Sequence, residues 1–246
     1  MRKILFPSLL IVFLLVSGCA QRSFQKQMIR FDQLYIPALF YTEQGSVEAS
    51  RKAVKDLMEF WQTFSLAYYN SRPADPEWKQ SFDIVDQRIT TAGKLVKNGK
   101  AVTSAFNELD VIRDILYRIR KRNDIKYYVD HLTEFFQPMD AMLLILKDKT
   151  PDTLTATDLQ NLSYLINREI NIWDKVAKVE FNSVLFGFNG IKLRDMRKYI
   201  KAEQLILYKL KKAIDARDKA FIFLSADFIK PNFNKLYLLF GDFGPP

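Results

Sequence analysis

His131 is the only histidine in the chain, and Glu134 follows it by three residues. On a helix that spacing puts an imidazole nitrogen and a carboxylate on one face, the donor types that many metal sites use. Met139 and Met142 follow in the same stretch, VDHLTEFFQPMDAM. A single histidine excludes the usual di-iron carboxylate bundle, which draws a histidine from each of two helices, and a three-histidine zinc site. The sequence holds no G-x-S-x-G, no phosphate-binding glycine loop and no dinucleotide turn. C-x-x-C-H, which would attach haem covalently, is also missing. Asp83 and Asp86 could serve glycoside hydrolysis as a carboxylate pair, yet acids at that spacing occur on any solvated helix. An enzyme is therefore the less favoured reading, and no cofactor is expected.

The stretch around His131 also reads as core. Leu132, Phe136, Met139, Leu143 and Leu146 recur at helical spacing and would form a buried stripe with His131 at its edge. Methionines in such a stripe fill gaps in packing. Packing is the preferred account here, and a metal or small ligand on His131 and Glu134 is the runner-up. The pair is similar to a histidine-x-x-glutamate motif of imelysin-like periplasmic proteins, although Val129 stands where that motif has glycine.

A second reactive group is the thiol of Cys19, the only cysteine. Arg2 and Lys3 precede an apolar run from Ile4 to Val16. That run is shorter than the roughly 20 residues of a permanent membrane span and has the layout of a secretory signal. Val16-Ser17-Gly18-Cys19 resembles the lipobox of bacterial lipoproteins. The resemblance covers the signal region alone. It implies cleavage between Gly18 and Cys19, diacylglycerol on the sulfur and an acylated amino end. Ala20 behind the cysteine implies the outer membrane, with the protein facing the periplasm. With its one thiol lipidated, the mature chain forms no disulfide, and packing must supply its stability.

Removing Arg2 and Lys3 takes the formal charge from +9 to +7. A basic body outside the cytoplasm points to anionic headgroups or an acidic envelope protein as partner, and away from nucleic acid. Between Lys192 and Lys219 stand ten basic residues against four acids. Arg194, Arg197, Lys198 and Lys201 open this run and are the candidate partner-binding residues. A solvated helix face is the plainer account of the same charges.

The elements that must position these groups are helices. Val102, Phe106, Leu109, Ile112, Leu116 and Ile119 follow an amphipathic period. So do Leu159, Leu162, Ile166, Ile170, Trp173 and Val176, and again Leu207, Leu210, Ile214, Phe221, Leu224 and Phe228. Turn-forming stretches such as SRPADPEW, KNGK and FGFNG separate them. Thr157 and Asp158 are candidate caps, and Pro37 and Pro138 should kink or begin helices. FDQLYIP and LTEFFQP share an order of residue types, and each precedes a helix with a central tryptophan, Trp61 or Trp173.

The expectation is an all-α protein of antiparallel up-and-down helices, in two duplicated four-helix units. The boundaries are 1–18 for the signal, 19–23 for a lipidated tether, 24–123 for the first repeat and 124–243 for the second. Such bundles are similar in architecture to cytochrome c′ and cytochrome b562, without their haem motif. The functional expectation is a lipid-anchored binding or scaffolding component of the cell envelope, with a ligand-binding bundle or an envelope hydrolase as alternatives. Cys19→Ser is expected to abolish incorporation of radiolabelled palmitate and to leave the precursor uncut; persistent labelling contradicts the assignment.

Overall fold

The computed structural model describes residues 7–99 and 101–244, with side chains from Ser23 onward. The Val16–Cys19 segment therefore lies outside the described side chains. Among the described residues the chain is all-α, with nine α-helices, one 3-10 turn and no strand. No described helix is long and apolar enough to cross a membrane. Two compact units form, one from Met1–Ile125 with Gly241–Pro246, the other from Lys126–Phe240.

The first unit holds α1 (Pro7–Glu43), α2 (Val47–Tyr68), α3 (Pro76–Asn98) and α4 (Val102–Arg122). Residues 19–23, read as a tether, are helical within α1. Consecutive helices pack on one another, and α4 returns to α1. Large rings fill the centre: Phe64 stacks on Phe82 at 5.8 Å, and Trp61 and Trp78 lie 5.3 and 5.2 Å from the same Phe82. Helices α2 and α3 approach closely at Gly93, where a Cβ would stand 2.5 Å from the Met58 sulfur. Asp75 caps α3 by accepting from Glu77 N–H at 3.1 Å. It also accepts from Asn123 Nδ2 at 2.7 Å and Arg122 Nη2 at 3.0 Å, which fastens the end of α4 to the start of α3. These donors, Asn123 first, hold its carboxyl below the usual range.

The second unit holds α5 (Val129–Leu146), α6 (Ala156–Lys178), α7 (Gly190–Asp215), α8 (Lys219–Ala226) and α9 (Ile229–Leu238). Helix α6 packs between α5 and α7, while α8 and α9 both pack on α7 and α9 reaches α5. Phe135 meets Trp173 at 4.5 Å and Phe233 at 5.6 Å in the middle of this core. Pro37 and Pro138 both lie inside helices, so neither begins one.

Three local expectations change. The cap of α6 is Thr155, two residues before Thr157; its side chain accepts from Asp158 N–H at 3.2 Å, and the Asp158 carboxylate accepts from Thr155 N–H at 2.9 Å. Asp158 also pairs with Lys149 at 2.6 Å, and these contacts lower its pKa to about 2. On α5 the buried face carries Phe135 and Met142, leaving Phe136 and Leu143 half-exposed. The third change comes after α7. Arg217 takes a left-handed conformation (φ 54°), ending the helix and shifting the phase of the next apolar series. Ile222, Ala226 and Ile229 are buried, while Phe221, Leu224 and Phe228 are exposed. Thr155→Ala removes half of the reciprocal cap and is expected to cost about 1 kcal/mol; an unchanged urea midpoint would contradict that role.

Candidate functional site

Helix α7 carries two opposed chemistries. Asn189 caps its start, accepting from Lys192 N–H at 2.9 Å through Oδ1. Its inward stripe is Met196, Glu203, Leu207, Leu210 and Ile214. Glu203 thus occupies a core position and is fully buried. Helix α6 repeats the pattern, burying Leu162, Ile166, Glu169, Trp173 and Val176 on one face. Side chains one turn away tie the helices together: Trp173 Nε1 donates to the Ile200 carbonyl at 2.9 Å. Beside Glu203, Gln204 Nε2 donates to Asp174 Oδ1 at 3.3 Å.

Asn232 of α9 reaches Glu203. Its Nδ2 donates to Glu203 Oε2 at 2.5 Å and to the Tyr199 carbonyl at 3.0 Å. Among the described residues, Glu203 Oε1 and both oxygens of Glu169 have no hydrogen-bond partner. Burying an ionised carboxylate in that state is so costly that the group takes a proton instead. Burial raises the Glu169 pKa well above its ordinary value, and the nearby Glu203 raises it further. Burial pushes Glu203 up to about 8 against the lowering effect of Asn232. The pair is therefore a neutral, proton-holding site at neutral pH.

The outward face of α7 is cationic. Arg194, Arg197, Lys198 and Lys201 are all exposed, and Lys209 and Lys212 continue the face. Arg194 lies 3.7 Å from Asp195, and Lys198 lies over the Tyr199 ring at 5.8 Å. Among the described residues, Arg197 and Lys201 have no carboxylate within ion-pair distance. Ile191, Leu205 and Tyr208 stand among these charges, 60%, 56% and 44% exposed. With Glu203 turned inward, one of the segment's four acids is withdrawn from this surface.

His131 and Glu134 lie one turn apart on α5, both half-buried. The His131 ring sits 6.3 Å from Tyr128, and among the described residues its Nδ1 has no hydrogen-bond partner. Among the described residues no three His, Cys, Asp or Glu side chains gather to hold a metal ion. Asp83 and Asp86 are exposed on α3, where Asp83 accepts from the Tyr69 hydroxyl at 3.2 Å.

Sequence reasoning missed Glu169 and Glu203. Its stripe for α6 passed from Ile166 to Ile170, and it counted Glu203 as one of the four acids set against the basic run. The available signal was position: Glu169 falls one turn from both Ile166 and Trp173, and Glu203 one turn before Leu207. No family description, curated protein or solved structure matches this chain.

The carboxyl pair sets a pH dependence of known sign. In the unfolded chain both groups ionise near pH 4.3, whereas the folded chain keeps the Glu203 proton until about pH 8. The folded state binds more protons across that window, so the pair's stabilising contribution is complete below the lower value and is lost as pH rises. Glu203→Gln keeps the oxygen that Asn232 addresses and removes the titration. It is expected to stabilise the chain by about 1–3 kcal/mol at pH 8 and to change little at pH 4. Equal urea midpoints for variant and wild type at pH 8 would contradict the assignment.

Proposed function

We propose that the protein is a lipid-anchored binding component of the bacterial outer membrane, facing the periplasm, and that the outer face of α7 docks on anionic headgroups. The observation that carries this reading is the run of exposed cations on α7, with Ile191, Leu205 and Tyr208 exposed among them. Each lysine or arginine near an anionic bilayer contributes about 1 kcal/mol. Exposed leucine and tyrosine insert at the headgroup boundary, where long cationic side chains reach the phosphates. An acidic protein partner would pair with the charges and leave those apolar side chains without a role.

The amino end supports the same reading. The lipobox-like segment supplies the anchor at Cys19. Phe24, five positions further on, is already buried against Phe64, Tyr68 and Trp78. A body that begins so soon after its lipid is held close to the membrane surface. Anchoring by several acyl chains makes dissociation negligible, so a weak headgroup contact suffices to orient the protein.

The test is co-sedimentation of the chain from Gln21 onward, made without lipid, with vesicles. Binding to vesicles rich in phosphatidylglycerol and none to pure phosphatidylcholine is expected, with loss of binding on raising the salt. Replacing Arg194, Arg197, Lys198 and Lys201 by Glu should weaken binding at least tenfold, since it reverses four charges. Equal binding by the variant, or no binding to anionic vesicles, overturns the reading.

A further inference from the structure

In the first unit α4 closes against α1, but in the second unit the corresponding seam stays partly open because α8 packs on α7. A groove of about 560 Å³ lies there, with Leu143 and Leu144 of α5 on one side and Phe223 and Ala226 of α8 on the other. Asp140 and Lys147 stand at the ends of the α5 wall. Leu144 is 67% exposed, the neighbouring α8 exposes Phe221 and Leu224, and Phe228 is exposed just beyond it. Large apolar side chains left open in this way mark a contact surface.

The order of residues on the α5 ridge says what would cover it. Asp140, Leu143, Leu144 and Lys147 follow the i, i+3, i+4, i+7 pattern of one helix face. The pattern is symmetric about the bond between Leu143 and Leu144, with the charges reversed at its two ends. An identical helix laid antiparallel across it sets Asp140 opposite Lys147 twice and Leu143 opposite Leu144 twice. Self-complementarity of this kind is what a two-fold interface requires. Asp140 and Lys147 are both exposed, and among the described residues neither has an ion-pair partner.

We propose that the protein forms a two-fold dimer in which α5 of a second copy lies antiparallel in the groove between α5 and α8. Leu144 of each copy is the apolar centre, backed by Phe223 and Ala226 of the facing copy. The two Asp140–Lys147 pairs set direction and register, as flanking charges do in paired helices. Exposed pairs add little affinity, so the leucines and Phe223 supply the attraction and the charges the specificity.

The full chain, purified in detergent, is to be measured by multi-angle light scattering with the detergent mass subtracted. Two chains per particle are expected, and Leu144→Glu should give one. Asp140→Lys and Lys147→Asp, each of which sets like charges opposite one another twice, should raise the dissociation constant about tenfold. The double variant Asp140→Lys/Lys147→Asp recreates the pairing with signs exchanged and should return to within about threefold of wild type. One chain per particle for the wild type overturns the proposal. So does an unchanged mass for Leu144→Glu, or a double variant no tighter than the single ones.

Discussion

The packing of α6 on α7 depends on two carboxyl groups remaining neutral inside an apolar core. Glu169 and Glu203 are fully buried, and among the described residues three of their four oxygens have no hydrogen-bond partner. Among the described residues neither group has a cation to neutralise it; burial raises both, Glu203 raises Glu169 further, and Asn232 lowers Glu203. Two ionised carboxylates in such a place would cost far more than the marginal stability of a domain. Protonated, they are moderately polar side chains whose burial costs far less than that of a charge. The helix register, the contact of α9 through Asn232 and the outward aim of the basic residues all depend on Glu203 pointing inward.

That inward aim sharpens the contrast across α7. A helix with acids and bases mixed on its surface would present a weak field. Here the acid in the middle of the basic run is removed from the surface and discharged, so Arg197, Lys198 and Lys201 face solvent without it. Ile191, Leu205 and Tyr208 turn a merely cationic face into one suited to the boundary between headgroups and acyl chains. The ridge on α5 has a different character, with two leucines between one acid and one base. The proposed headgroup-docking face and the proposed self-pairing ridge lie on different helices of one unit.

Much of the fold was legible because long helices declare themselves by period. Val102 to Ile119 in α4 and Leu162 to Val176 in α6 are buried much as their spacing required, and the turn-rich stretches around Gly99 and Asn189 end and begin helices. What could not be read were places where one local event resets the pattern. The left-handed Arg217 turns the apolar series 221, 224 and 228 outward, and nothing in its side chain announces that conformation. On α5, adjacent apolar residues such as Phe135 with Phe136 and Leu143 with Leu144 leave two stripes equally good on paper. Packing chose Phe135 and Met142, and so left Leu144 exposed. The carboxyl pair was hidden by a rule that holds nearly everywhere, that glutamate belongs on the surface. His131 and Glu134 stood out by residue type, yet the described geometry brings no further ligand to them.

Whether Glu203 holds its proton inside the folded chain can be observed directly. With carbon-13 at the glutamate side-chain carboxyls, Glu203 is assigned by the signal that Glu203→Gln removes and tracked from pH 5 to pH 9. A neutral buried pair predicts a resonance at the protonated position at pH 6 that moves only as the pH approaches about 8. A Glu203 signal already at the ionised position at pH 6 would show a charged carboxylate in the core and contradict it.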